Sequence, residues 1–435
     1  MKKIIALILA GGDSSRFWPL GDKHFIKFFD KPLIYYSIAQ LIKFGITNII
    51  IVVNQENVTK YESLRGFFKD VNLNFVIQSD SRGMAGAVIS AAKSIKETPV
   101  LIIGPSDIYE NILLDEFSKL LKARPEGILA GVTVDKYFPG GYLTVKNKII
   151  TGIVEKPNPN NLPSNIVNFV FDYFIKGDLL LEAIRQINTK KDDHYERAIE
   201  QLIKSGFRFK YLSYKGFWGY LKYPWHLLEV NNYYLNKITQ KKLKSTEIDK
   251  SSSIVGNVLI EEGVKIMENV KIIGPTYIGK GTVIGQNCLI RESMIGNRCV
   301  IGFSTEIARS YIGDNCWFHN NYAGDSLLSE NISLGSGATL ANFKLSGQSV
   351  NSVIKGKKIT TNRPKLGAII GKYVRIGVNA SIMPGVKIGQ NSIVGSGVVL
   401  DSDLPNKKFC HLNKENYIIE HNKAVTNSLV RRGLS

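Results

Sequence analysis

The stretch AIIGKYVRIGVNASIMPGVKIGQNSIVG (368–395) decides the fold of half this chain. Ile370, Ile376, Ile382, Ile388 and Val394 recur every six residues, and glycine follows four of the five. A six-residue period marks a parallel β-helix, in which each hexapeptide forms one side of a triangular coil. The aliphatic residue points inward and stacks on its equivalent one coil away. The residue after it turns the corner, by positive φ or by tight backbone contact that only a small residue allows. The same spacing runs through Ile278-Gly279, Ile284-Gly285 and Ile290, and through Ile295-Gly296 and Ile301-Gly302. Residues 252–403 are therefore expected to form the coil. The segment 343–369 breaks the period and is expected to leave it as a loop, and 404–435 reads as a tail of undetermined structure.

Residues 1–235 have another texture. The apolar runs IIALILA (4–10), NIIIVV (48–53), NFVIQ (74–78) and PVLIIG (99–104) alternate with amphipathic segments. That alternation predicts a mostly parallel sheet covered by helices, with ligands at the carboxyl ends of the strands. The polar stretch 236–251, NKITQKKLKSTEIDKS, is expected to be a linker.

Two domains suit a chain of 435 residues. No apolar run approaches the ~20 residues that span a bilayer, and the opening MKKIIALILAGG reads as a buried strand rather than a leader. A cytoplasmic protein with no membrane partner is expected. The formal charge of +19 permits nucleic acid, but the lysines are scattered and no basic block is interleaved with stacking aromatics. Nucleotides, sugar phosphates and coenzyme A suit the charge, and nucleic acid is not expected. Cys288, Cys299, Cys316 and Cys410 show no CxxC spacing and are expected to be packing residues of the coil.

The string LILAGGDSSRFWPL (7–20) follows the first strand. A Gly-Gly turn there offers backbone N–H groups to an anion, and Arg16 adds a guanidinium fork for phosphate oxygens. Lys23 and Lys31-Pro32-Leu33 come next.

Here the chain resembles the sugar-1-phosphate nucleotidyltransferases, whose signature reads L-A-G-G-x-G-T-R-x-x-P-L, then P-K, then G-K-P-L-I. The resemblance implies a Rossmann-like α/β domain that joins a sugar 1-phosphate to UTP or dTTP and releases pyrophosphate. It implies that Gly11, Gly12, Gln78 and Gly83 contact the nucleotide. Arg16 and Lys23 would act on the transferring phosphoryl group, and Asp107 would hold Mg²⁺. Gly141, Glu155 and Asn168 would contact the sugar. Three departures stand out: Ser14 and Ser15 for Gly-Thr, Asp22 for proline, and Tyr220 in FWGYLKYPWHLLEVNN (217–232) for the second metal-binding aspartate, with Lys222 and Tyr223 replacing Gly-Thr. Either Asp107 holds the ion with substrate phosphates alone, or the domain binds without turning over.

The segment WFHNNYAGDSLLSENISLGSGATLAN (317–342) interrupts the repeat with polar residues. It resembles the acetyltransferase part of bifunctional glucosamine-1-phosphate acetyltransferase/N-acetylglucosamine-1-phosphate uridylyltransferases, especially the archaeal ones, which are trimers with a left-handed parallel β-helix of hexapeptide repeats. By that resemblance His319 is the base, and Tyr322 and Asn342 orient the sugar amine. Arg309 meets the sugar phosphate, and Lys365, Ala368 and Ser381 meet acetyl-CoA. A homotrimer built through the coil follows from the same likeness. A histidine suits proton removal from an amine because its ordinary pKa lies near neutrality. Two other readings compete: an active transferase whose coil serves only assembly, and a regulatory subunit that has lost turnover.

Overall fold

The computed structural model describes residues 4–69, 71–239, 241–242 and 245–413. Strands Asn72–Ile77, Asn48–Val53, Ile5–Ala10 and Val100–Ile103 lie side by side and parallel in a nine-stranded sheet. Successive side chains of a strand point to opposite faces. Ala6, Ile8 and Ala10 accordingly join one buried cluster with helix Leu33–Lys43, while Ile5 and Leu7 join another with helix Gly83–Ser90. Helices on both faces explain why these strands read as continuous apolar runs.

The far half of the sheet is mixed, with Phe209–Tyr214 parallel to Gly127–Thr133 and the other pairs antiparallel. Ile166–Phe174 runs antiparallel to both of its neighbours, and Gly141–Lys146 with Ile149–Glu155 forms a hairpin at the edge. Asn147 and Lys148 between those last two strands both have positive φ, the backbone of a two-residue hairpin turn.

The second half of the chain is a left-handed parallel β-helix of three parallel sheets. Ile260, Ile278, Ile295, Ile312, Leu328, Ile370 and Ile388 form one inward ladder. A second inward position lies two residues before each of these hexapeptide residues. Cys288, Cys299 and Cys316 occupy it before Ile290, Ile301 and Phe318, and all three are buried and free. The corners divide their task between two positions. A Cβ on Gly279 would lie 2.5 Å from the backbone of Gly296, so this glycine is there for close approach. Positive φ falls at other turn positions, many of them asparagine (Asn269, Asn287, Asn315, Asn331, Asn379 and Asn391) and others glycine, such as Gly263, Gly281, Gly337 and Gly397.

The coil is longer at both ends than the repeat suggests. Lys241–Lys242 and Glu247–Ile248, inside the expected linker, already pair with coil strands. Phe409–Cys410, inside the expected tail, pairs with Ile393–Val394. End coils have one neighbour instead of two, so they carry polar residues that hide the repeat. The rest of the tail, from residue 414, lies outside the described residues. The insertion leaves the coil as a hairpin of Asn351–Ile354 and Lys357–Thr360.

One outer face of the coil is apolar: Leu259, Tyr277, Met294, Tyr311, Leu327 and Ile369 stand in register along it. They pack with Phe28, Leu228 and Tyr234 of the first domain in one shared cluster. Phe28 stacks on Tyr234 at 4.3 Å and meets Tyr311 edge-on at 6.2 Å. Each buried Leu, Ile or Met here is worth about 1.5–3 kcal/mol. Around the rim Lys27 pairs with Asp314 at 2.8 Å, and Asn297 donates to Asp30 at 2.7 Å. The two domains are therefore welded along this face.

Candidate functional site

The loop after the first strand is held by its own side chains. The Asp13 carboxylate accepts the Ser15 N–H at 2.9 Å, and a 3-10 turn over Ser15–Phe17 begins at Ser14. Ser14 has φ 53° and ψ 18°, the left-handed helical region. A serine can occupy that region at a cost of about 1 kcal/mol, so the departure from glycine distorts nothing.

This loop floors two cavities, of about 320 and 1040 Å³, that share Gly12, Asp13, Arg16, Lys23, Glu155 and Lys156. Arg16 and Lys23 stand where the two meet. The larger cavity carries Gly11, Gln78 and Gly83, and the smaller one Asp107. Gln78 donates to the carbonyls of Asp80 and Gly83 at 2.7 and 3.1 Å, and its Oε1 lies only 1.8 Å from where a Gly11 Cβ would be. A side chain at Gly11 would push the Gln78 amide out of these bonds, while Gly12 faces open space. Gly83 has φ +55° and lies against Asp192.

Lys23 donates to the Leu221 carbonyl at 3.1 Å. Burial lowers its pKa, and the Asp107 charge opposes that shift. Asp107 accepts the Trp218 indole N–H at 2.9 Å. Burial raises its carboxyl to about 6, against the pull of that bond and of Lys23.

The two-carboxylate magnesium site implied by the resemblance is not formed by these residues, which leave Asp107 without its second carboxylate. Tyr220 pairs directly opposite Asp107, and its ring packs edge-on to Phe138 at 4.9 Å and to His226 at 4.6 Å. Burial raises the phenol above its ordinary value, so it stays protonated at neutral pH and offers no anionic oxygen. Among the described residues no group of three or more His, Cys, Asp or Glu side chains is placed to hold a metal ion.

Glu155 lies in both cavities, paired with Lys156 at 2.6 Å. Gly141 is not on the wall; it pairs opposite Glu155, and its missing side chain leaves room for the Glu155 carboxylate and Ile153. Asn168 is not on the wall either. Its amide donates to the Ala130 carbonyl and to Asp172, which also accepts from Tyr195. These bonds satisfy a fully buried carboxyl at a strand bulge, a structural duty.

On the coil, Asp325 is the organiser. It accepts Arg309 Nε and Nη2 at 2.8 and 2.7 Å, and Asn342 Nδ2 at 2.6 Å. The Tyr322 hydroxyl and Asn342 amide both close over Gly324, each 2.5 Å from where its Cβ would be. Tyr322, Thr339 and Ser381 stand in one ladder on the same outer face. His319 sits at the corner before that face. Its backbone is fixed by Asn321 and Thr305, and its ring lies exposed beside Trp317. No hydrogen bond joins that ring to Tyr322 or Asn342 among the described residues. Lys365 is exposed at the foot of the hairpin. Ala368 differs from expectation: it takes the second inward position of its hexapeptide, so its methyl lies in the coil core, and its carbonyl accepts the Leu327 N–H at 2.9 Å.

Three family models cover the chain. A nucleotidyl transferase model matches residues 5–236, a GMPPB C-terminal domain model matches 244–361, and a bacterial transferase hexapeptide model matches 367–402. The chain belongs to the nucleotidyl transferase family. Among its relatives, a bifunctional protein GlmU of Methanococcus maripaludis strain S2 is 31% identical over 434 residues, covering 94% of this chain and 98% of the relative. A bifunctional sugar-1-phosphate nucleotidylyltransferase/acetyltransferase of Sulfurisphaera tokodaii is 32% identical over 412 residues, covering 93% and 99%.

In this nucleotidyl transferase the cleft draws on more than its signature loop. Asp80, Arg82, Asp192 and Glu196 also line the larger cavity, and no motif marks them. Glu196 is 8% exposed, and burial, then the nearby Glu155, raises its carboxyl to about 8. It comes from helix His194–Lys204. The one signal in the sequence is an acidic residue on the buried stripe of an amphipathic helix. Among the described residues no helix is long and apolar enough to cross a membrane.

Proposed function

We propose that this chain makes a nucleotide sugar by two reactions. The first domain transfers a nucleotidyl group from UTP or dTTP to a sugar 1-phosphate. The coil acetylates the amine of an amino-sugar 1-phosphate with acetyl-CoA. The observation that carries this reading is the meeting of the two cavities at Arg16 and Lys23. The larger cavity, with Gly11, Gln78 and Gly83 on its wall, suits a nucleoside, and the smaller one, where Lys222 joins the shared cations, suits phosphate groups and the sugar they carry. The relatives named for both reactions support it.

In the first reaction a sugar-phosphate oxygen attacks the α-phosphorus, the bond to the bridging oxygen breaks, and pyrophosphate leaves with the electron pair. Little covalent work falls to the protein. Arg16 and Lys23 hold the reactants in line and stabilise the charge spread over the equatorial oxygens. In the second reaction the amine nitrogen attacks the thioester carbonyl while the His319 imidazole takes its proton, and the coenzyme A thiolate leaves. Arg309 would hold the sugar phosphate, with Tyr322 and Asn342 orienting the amine. Lys365 and Ser381 would meet acetyl-CoA, with Ala368 shaping the coil wall behind them.

The exposed Trp317, Ile393, Val399 and Phe409 suit a homotrimer formed through the coil, which would bring partner groups beside the His319 ring. Such substrates suit a protein of the cytoplasm.

A panel assay tests the reading. Pyrophosphate release is measured from each of the four NTPs with sugar 1-phosphates, and free thiol from acetyl-CoA with glucosamine- and galactosamine-1-phosphate. Both signals are expected. Tyr220 opposite Asp107 favours one other reading, a regulatory subunit, and silence with every NTP would establish that instead.

A further inference from the structure

The place beside Asp107 that a second carboxylate would fill is taken by aromatic rings, and two residues along the same chain segment stands Lys222. Its Nζ donates to the Pro139 carbonyl at 2.6 Å and lies 4.9 Å over the Phe138 ring. These contacts pin the side chain on the wall of the smaller cavity, among Arg16, Lys23 and Lys156. The preceding residue, Leu221, gives its carbonyl to Lys23 Nζ. Two ammonium groups are thus fixed to adjacent residues of one segment.

Among the described residues Lys222 forms no ion pair. A half-buried ammonium facing three other cations, with one neutral carbonyl and an aromatic face as partners, is costly unless an anion joins it. Three N–H donors belong to a lysine head, and Pro139 uses one. The remaining two point to a ligand rich in anionic oxygen. Burial first, then the charges of Arg16 and Lys156, hold its pKa down at about 7, with Glu155 opposing and Lys23 adding least, the mark of a cation without its counter-ion.

We infer that Lys222 binds phosphate oxygens of the reacting pair and that this cation cluster makes triphosphate binding at the first site independent of a divalent ion. The inference rests on the nucleotidyl-transfer reading of the cleft. In the transfer step the attacking oxygen bonds to the α-phosphorus and the α-phosphorus–bridging-oxygen bond breaks. Lys222 keeps its proton throughout and acts by charge and hydrogen bonds alone.

The test is calorimetric titration of the full chain with UTP, with dTTP and with inorganic tripolyphosphate, in EDTA and in magnesium chloride. Wild-type affinity is expected to differ less than about threefold between the two buffers. Lys222→Met is expected to weaken binding in EDTA by about tenfold or more, the loss of a charge-assisted contact, and Lys222→Arg to recover part of it. A melting curve matching wild type shows that each variant is folded. Binding lost in EDTA, or unchanged by Lys222→Met, overturns the inference. Pyrophosphate release is read separately. Metal-free binding through Lys222 with no turnover would leave the inference standing and remove the transferase reading. No triphosphate binding in either buffer would overturn both.

Discussion

The Trp18 indole N–H donates to the side-chain carbonyl of Asn406 at 2.9 Å, across 388 residues of sequence. Trp18 also lies under Lys387, whose Nζ is 5.6 Å from the ring. The loop that floors the first site is therefore clamped by the last coils of the second domain.

That clamp gives a first prediction. Trp18→Phe keeps a ring and removes the N–H, and Asn406→Ala removes its acceptor. Each is expected to cost about 1 kcal/mol of loop order. KM for the triphosphate should rise several-fold in both, and the double variant should add little to Asn406→Ala, which already loses the shared bond together with the Gln390 N–H bond at 3.1 Å. Acetyl transfer should not change. Steady-state kinetics of both reactions check this.

Ser14 supplies a second. It holds positive φ, and among the described residues its buried hydroxyl has no hydrogen-bond partner. Ser14→Gly relieves the backbone and removes a stranded polar group. The greater freedom of the unfolded glycine offsets part of this gain. A net stabilisation of about 1 kcal/mol is expected. Denaturant titration of the first domain, followed by tryptophan fluorescence, measures it.

Glu196 gives a pH dependence. Its carboxyl titrates at about 8 in the folded chain, from an ordinary 4.5, because of burial first and Glu155 second. Between those values the folded state keeps a proton that the unfolded chain has released. Stability therefore falls as pH rises from about 4.5 through 8. Glu196→Gln should flatten this part of the stability profile and be the more stable protein above pH 8. Melting temperatures across pH 5 to about 9 test the sign.

Asp325 carries the coil cluster. Asp325→Ala would leave Arg309 and Asn342 without their shared acceptor in a half-buried place. A loss of about 2–3 kcal/mol in stability is expected. On the proposed reading these groups hold the sugar rather than move its proton, so KM for the amino-sugar phosphate should rise more than kcat falls. Asp325→Asn keeps an acceptor oxygen and should recover part of both.

Much of this architecture is legible from residue spacing because the coil repeats one rule. The period alone places Ile370 through Val394 inward, since each stacks on an equivalent one coil away. The signature loop is legible for a related reason: Gly11, Gly12, Arg16 and Lys23 are close in sequence as well as in space. What escapes the sequence depends on distant packing. The apolar outer ladder of Tyr277, Met294 and Tyr311 resembles ordinary variation until the first domain is seen lying on it. Ala368 is expected at acetyl-CoA by the resemblance alone; the six-residue rule marks one inward position per hexapeptide, and Ala368 fills the second. Asn168 and Gly141 lie beside the site and serve Asp172 and Glu155, a distinction that side-chain direction alone makes.

The central claim is that two separate sites, one gripping phosphate and one removing a proton, work on one polypeptide. Pyrophosphate release and thiol release measured side by side in Lys23→Ala and His319→Ala test it most directly. Lys23→Ala should lower pyrophosphate release by about 100-fold and leave thiol release within about twofold, and His319→Ala should do the reverse. A single substitution that silences both reactions in a folded protein would contradict the account.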